Sequence, residues 1–256
     1  MKKLSHLALS ISILGVLFVV WGCNKAPGQA APKTSNTGGA SSTEPKSAEG
    51  KAPEKISAPS GPPLASLPAD LKHEGYAYSG LECDKTMEFE IKRPTDKAPQ
   101  VGTQTNKLVS IEKGVAKFTT ERTGLLADLV GTEEVELRHD GIYTTKTGGG
   151  PANPAQLDLP SEMPVGKTWT SHGVVTMLDG RTIEQNVSFK VVGMEKVKTK
   201  AGTYDSLKVT GSGSLKAAGK ELKMNLTAWY VKGLGNVLLN VSSPEGSTRQ
   251  EATKIP

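Results

Sequence analysis

The sequence predicts a mainly all-β protein: a curved antiparallel meander, half-barrel or sandwich-like, carried behind an export signal and a disordered tether. Three observations carry this reading. Apolar residues alternate with polar ones in run after run from about residue 67 to 255, and Asp-Gly and Gly-x-Gly turn signals separate many of these runs. Large apolar residues also crowd the first two dozen positions and then nearly vanish up to Ala65. The organisation expected is a signal over residues 1–22, a lipidated cysteine and tether over 23–65, and a β-rich globular domain over 66–256.

The start is basic, Met1-Lys2-Lys3, and Leu7 to Trp21 is an uncharged, mostly apolar run broken by serines and Gly15. This run falls short of the ~20 residues that a bilayer-spanning helix needs, and it reads as the core of a signal peptide. It ends in Val20-Trp21-Gly22-Cys23, which resembles the lipobox of bacterial lipoproteins, with Trp21 in place of the small residue usual at the middle position. The resemblance implies cleavage before Cys23 and lipid attachment to its thiol. More than one acyl chain there would hold the protein stably, where a single chain binds membranes only marginally. Asn24 is not the aspartate that often retains lipoproteins at an inner membrane. The expected location is therefore the outer membrane facing the periplasm in a two-membrane host, and the cell surface otherwise.

From Asn24 to about Ala65 the chain is rich in Pro, Ala, Gly, Ser, Thr, Lys and Glu, with Ile56 and Leu64 as its large aliphatics. Such a segment cannot bury enough surface to offset its ordering entropy. As a coil it would span roughly 35 Å, enough to hold a domain clear of a headgroup layer.

In the remainder, Met87, Phe89 and Ile91 face one way while Glu88, Glu90 and Lys92 face the other. Val135 and Leu137 lead into Asp140-Gly141, and Asp179-Gly180 joins His172–Leu178 to Thr182–Val192. Leu125 to Val130 is a short helix candidate. Gly148 to Pro154, with three glycines and two prolines, reads as a long loop that splits two subsheets near 148–160. Gly211-Ser212-Gly213-Ser214 reads as a flexible or bulged strand end. The clearest strand sets Leu222, Met224, Leu226, Ala228 and Tyr230 against Glu221, Lys223, Asn225, Thr227 and Trp229, and Val237, Leu239 and Val241 continue the period. The modest size of these side chains predicts a packed interior without a large apolar cavity.

Met163-Pro-Val-Gly-Lys-Thr-Trp169, then Glu195 to Tyr204, then Trp229-Tyr-Val-Lys-Gly-Leu-Gly-Asn-Val237 resemble an order of motifs in exported bacterial proteins with domains of unknown function. The similarity covers mainly residues 160–245. It implies a curved antiparallel sheet akin to the half-barrels of periplasmic lipoprotein carriers, and brings no catalytic residues. The residues also have structural readings: Gly202, Gly233 and Gly235 serve turns, and Trp169 and Trp229 supply packing surface.

The search for chemistry yields no catalytic, metal or cofactor set. Neither Cys-x-x-Cys nor His-Glu-x-x-His is present, and once Cys23 is lipidated Cys83 has no partner. His73, His139 and His172 are the histidines after the signal, and their spacing places none beside Cys83. The acid pairs Glu133-Glu134 and Glu88 with Glu90 are expected on outward faces, where solubility places charge. A formal charge of +5, reduced to +3 once Lys2 and Lys3 leave, is spread over separated lysines such as Lys196, Lys200, Lys216 and Lys223. Without a basic stripe and interleaved aromatics, nucleic acid is not an expected partner. The function expected is a non-enzymatic, lipid-anchored envelope module that binds the membrane through Cys23 and an envelope protein, glycan or apolar ligand through its sheet. Its alternatives are a carrier of an apolar ligand in a half-barrel and an enzyme with a dispersed site.

Overall fold

The computed structural model describes Pro62, residues 64–82, Asp84, residues 86–178 and residues 180–255. The expected signal, Cys23, most of the expected tether, Cys83 and Asp179 lie outside the described residues. The strands are β1 (Met87–Lys92), β2 (Gln100–Glu112), β3 (Val115–Gly124), β4 (Glu133–Arg138), β5 (Gly141–Thr147) and β6 (Gly150–Pro160). They continue as β7 (Thr168–Thr176), β8 (Thr182–Thr199), β9 (Gly202–Ala217), β10 (Lys220–Val231), β11 (Gly235–Ser243) and β12 (Gly246–Lys254). Two α-helices, α1 (Glu74–Ser79) and α2 (Leu125–Leu129), and two single 3-10 turns, Leu64–Ser66 and Ala69–Leu71, accompany them, α2 where the sequence places its short helix.

All the strands lie in one antiparallel sheet, each beside its sequence neighbours, and β1 pairs β12 to close it as a barrel. The expected meander is present, and its edges are joined: Phe89 sits opposite Ala252 and Ile91 opposite Gln250. Lys254 Nζ meets Glu88 Oε2 at 3.0 Å across this seam, and Thr253 Oγ1 donates to the Glu88 carbonyl at 3.2 Å. Closure satisfies the N–H and C=O groups that an open half-barrel would leave at two edges.

The period of two assigns the faces. Along β8, Ile183, Gln185, Val187, Phe189 and Val191 point inward and are buried, while Thr182, Glu184, Asn186, Ser188 and Lys190 are exposed. A bilayer-spanning barrel has the opposite polarity, with an apolar outer band. Under β7–β11 the interior is closely packed. Trp169 stacks on Phe189 with ring centroids 5.1 Å apart. Val209, Leu226, Ala228, Val237 and Leu239 fill the space beside them.

Two expectations are corrected. Gly211 to Ser214 is not a strand end but the middle of β9, paired on both sides. A Cβ at Gly211 would lie 2.9 Å from Leu226 Cγ and 3.0 Å from Phe189 Cδ1, so glycine is what the packing admits there. The glycine- and proline-rich run near 148–160 is not a loop between subsheets either, because Gly150–Pro160 is strand β6 within the single barrel. Its prolines do interrupt the ladder, since each lacks an N–H donor. Registers shift between β5 and β6, and a single registered pair, Asn153 with Val174, links β6 to β7.

One end of the barrel is stopped by the segment before β1. Leu67, Leu71, Tyr76, Tyr78 and Leu81 are all buried. The His73 side chain caps α1, its Nδ1 accepting from Tyr76 N–H at 3.1 Å, and Gly80 ends the helix at φ +77°. Gly75 lies against β6 so closely that a Cβ would stand 2.1 Å from the Pro160 carbonyl oxygen, and its N–H donates to Ser161 O at 3.0 Å. The Gly233 N–H donates to Ala77 O at 2.8 Å, and Glu74 Oε2 accepts from Met163 N–H at 2.8 Å. The β8–β9 hairpin bends over the same end past an irregularity between Val191 and Gly193, where Tyr78 Oη donates to Met194 Sδ at 3.7 Å. At the other end, α2 buries Leu125 and Leu126, the latter over Gly102.

Candidate functional site

The half of the barrel formed by β1–β6 holds a polar chamber. Inward positions supply Asn106 from β2, Thr120 and Arg122 from β3, Glu133 from β4, Asp158 from β6, Tyr230 from β10 and Gln250 from β12. Met87, Phe89, Val135, Ile142 and Leu159 add apolar wall, Gln104 and Asn236 further amides, and Ser79, Leu81 and Leu234 lie at the stoppered end. The space open to the centre of a water-sized sphere is about 90 Å³. On that measure one water takes roughly 10–15 Å³, so the chamber has room for several waters or one ligand of a few heavy atoms.

The polar side chains are tied in three separate sets. Asn106 Nδ2 donates to the Gly80 carbonyl at 2.9 Å, and Thr120 Oγ1 donates to Asn106 Oδ1 at 2.9 Å. Arg122 Nη2 meets Glu133 Oε2 at 2.5 Å, with side-chain exposures of 3% and 2%, and its Nη1 donates to Gly131 O at 3.2 Å. Thr144 Oγ1 donates to Asp158 Oδ2 at 2.7 Å. Four buried atoms in the chamber wall have no hydrogen-bond partner in the protein: Arg122 Nε, Glu133 Oε1, Asp158 Oδ1 and Gln250 Oε1. Native interiors hold few such atoms, and a polar cavity is where they find their partners.

Burial pushes the Asp158 carboxyl well above the ordinary carboxylate range; the Thr144 hydrogen bond opposes this, nearby Glu133 adds to it, and Arg122 pulls it back. Burial, with Asp158 beside it, likewise raises the Tyr230 phenol. The polar seam continues along β6 to Gln156, whose amide lies against Gly173, and to Gln185, whose Nε2 donates to Ser171 Oγ at 3.0 Å.

Glu133 corrects a sequence expectation. Of the pair Glu133-Glu134, only Glu134 faces outward, where it meets Lys146 Nζ at 2.7 Å. Glu133 lies two residues before Val135 and four before Leu137, so the period that places those two inside places it inside as well. Glu88 and Glu90 do lie on the outer face, paired with Lys254 and Lys200.

The histidines do other work. His73 Nε2 donates to Arg138 O at 3.0 Å, with Nδ1 fixed as acceptor by the α1 cap, and burial lowers its pKa. His139 Nδ1 stands 3.3 Å from Asp70 Oδ2, with both side chains more than half exposed. His172 Nδ1 contacts the Gln185 carbonyl at 3.1 Å. None of the three lines the chamber. Trp229 packs on the outside, its Nε1 donating to Glu195 Oε1 at 2.5 Å with Lys208 above the ring. Among the described residues no cluster of His, Cys, Asp and Glu has the grouping that holds a metal ion.

The strands that pack the apolar half carry a recognisable sequence signature. Residues 153–240 match the DUF3108-like family. That range runs from β6 into β11 and covers about a third of the chain. No curated protein matches the sequence. Among solved structures, the barrel is similar to a Parabacteroides distasonis protein named as a lipoprotein, at 8% identity and TM-score 0.47, over 67% of this chain and 94% of that one. It is also similar to a Bacteroides fragilis protein named as exported with a YmcC-like fold, at 12% identity and TM-score 0.46, over 67% and 94% of the two chains. The hypothetical lipoprotein YmcC from Escherichia coli K12 aligns at 11% identity and TM-score 0.34, over 72% of this chain and 91% of its own.

Proposed function

We propose that this protein is a lipid-anchored envelope lipoprotein, held in a membrane through Cys23, spaced from it by residues 24–65 and acting through its barrel as a non-enzymatic binding module. The observation that carries the binding reading is the chamber: a small space lined by buried polar side chains, four of whose atoms are unpartnered, inside an otherwise packed barrel. The anchor reading rests on Val20-Trp21-Gly22-Cys23 after an apolar run. A second observation supports it. The outer face of β8 is polar, as suits a domain held outside the bilayer, and no described helix is long and apolar enough to cross a membrane. The non-enzymatic reading is supported by the backbone partners of His73 and His172 and by the exposed position of His139, none of which lines the chamber. In a two-membrane host the outer membrane is the expected site, from the absence of aspartate after Cys23.

Cys23→Ser is expected to leave the chain without lipid and to move it from the membrane fraction to the soluble or precursor fraction. Mass spectrometry of the wild-type N-terminus, beside fractionation of both proteins, checks this. An unmodified Cys23 in a membrane-bound wild-type chain would refute the anchor.

The apolar-carrier alternative meets an obstacle in the interior. Met224, Leu226, Tyr230, Val237, Leu239 and Val241, the inward set of two neighbouring strands, are buried against other side chains and leave no large apolar space. Displacement of a fluorescent fatty acid is therefore expected to show no stoichiometric submicromolar binding. Tight binding that disappears in a folded Leu226→Glu variant would restore the carrier reading.

A further inference from the structure

The chamber's free hydrogen-bonding atoms are unequal in kind. Glu133 Oε1 and Gln250 Oε1 are acceptors, Asp158 Oδ1 becomes a third when its carboxyl ionises, and Arg122 Nε is a lone donor. Glu133, Asp158 and Gln250 are 2%, 8% and 6% exposed, so bulk water does not serve them. With Asp158 ionised, three buried acceptors belong to residues that line one small space, and a group with several N–H donors matches them. We propose that the chamber binds a small primary ammonium compound, with its –NH3⁺ group facing Glu133, Asp158 and Gln250. This assignment rests on the binding-module reading and names the ligand class.

Other ligands fit less well. The Arg122 guanidinium is already occupied by Glu133 Oε2 and the Gly131 carbonyl, so an anion would gain one N–H while facing two carboxyl groups. A divalent cation lacks the three-ligand cluster it needs among the described residues. A neutral alcohol offers one donor per hydroxyl and no charge to set against the carboxyls. An ammonium carries three donors, and its charge offsets the cost of ionising Asp158 in a buried site. The size agrees, since about 90 Å³ of open space suits a ligand of a few heavy atoms rather than a polymer or a lipid tail. Ser79, Leu81 and Leu234 border the chamber at the stoppered end, where Asn106 Nδ2 donates to the Gly80 carbonyl.

Binding should also release a proton. The groups facing Asp158 are Arg122 from β3, Glu133 from β4, Thr144 from β5 and Tyr230 from β10, and burial keeps its carboxyl protonated above the usual range. An ammonium favours the carboxylate, so affinity should rise as pH rises through the elevated Asp158 value and fall below it.

The test is titration calorimetry of the full chain with ethylammonium, and with ethanol and acetate as neutral and anionic counterparts of similar size. One ethylammonium per chain is expected to bind saturably, with neither counterpart competing. Asp158→Asn is expected to weaken binding at least tenfold while keeping the wild-type circular dichroism spectrum. Wild-type binding, measured in two buffers of different ionisation enthalpy at a pH where Asp158 is protonated, should release about one proton per ligand. This last readout decides the matter if Asp158→Asn does not fold. Binding of ethanol or acetate in the chamber would overturn the ammonium assignment and leave the module reading standing. Absence of binding by all three probes would overturn the ammonium assignment and remove the chamber as support for the module reading, and ethylammonium binding without proton release, or undiminished in Asp158→Asn, would overturn the assignment by placing the ligand elsewhere.

Discussion

A chain that starts at Thr86, keeping all the strands but losing the segment before β1, is expected not to fold. The lost residues include Leu67, Leu71, Tyr76, Tyr78 and Leu81, with exposures of 4%, 0%, 3%, 3% and 4%. Burying a large apolar side chain contributes roughly 1.5–3 kcal/mol, so even at the low end these five sum to about 7.5 kcal/mol. A whole domain is stable by only about 5–15 kcal/mol. The loss would also uncover the apolar ends of β5, β6, β10 and β11 and strand the Ser161 carbonyl and the Gly233 N–H that Gly75 and Ala77 satisfy. Circular dichroism melts make the comparison. A chain starting at Pro62 should unfold in one cooperative transition, and the chain from Thr86 should bind a hydrophobic dye and show none. A cooperative melt of the shorter chain within a few degrees of the longer one would mean that the segment is an appendage.

The second large effect belongs to the ion pair in the chamber wall. Glu133→Leu leaves the Arg122 guanidinium buried without its counter-charge, and breaking a buried pair in this way costs about 3–5 kcal/mol. The double replacement Arg122→Met with Glu133→Leu removes both charges and should regain most of that loss, because neither desolvation penalty remains. Urea unfolding of the wild type, both single variants and the double variant gives the coupling directly. Equal destabilisation by the single and double variants would show that the pair's role is one of shape and not of charge compensation.

Much of this fold can be read from residue order, and the parts that cannot have physical reasons. Alternation in Met87–Lys92 and Leu222–Tyr230 gives the strands and their inward faces because a pleat repeats every two residues. The same period does not say which strands are neighbours, so closure by β1 and β12 is invisible to it. The stopper is hidden because its helical pieces are too short to show a period, as with the six residues of α1. In the chamber, Glu133 is legible in retrospect from the phase of Val135 and Leu137. Asp158 and Gln156 are not, since they sit in a run whose prolines argue against a strand, and only the packing of β6 between β5 and β7 turns them inward.

The neighbour-to-neighbour order of the strands bears on how the barrel comes into being. Each hairpin can zip as soon as its second strand exists, with little loop entropy to overcome. The seam is different, for Glu88 and Lys254 are 166 residues apart. In a chain that emerges from its amino end, β1 must wait with one edge bare until the last strand arrives. The final nine residues of sheet, Gly246–Lys254, are therefore the latch of the barrel. Interruption before they appear leaves two sticky margins rather than a slightly smaller barrel.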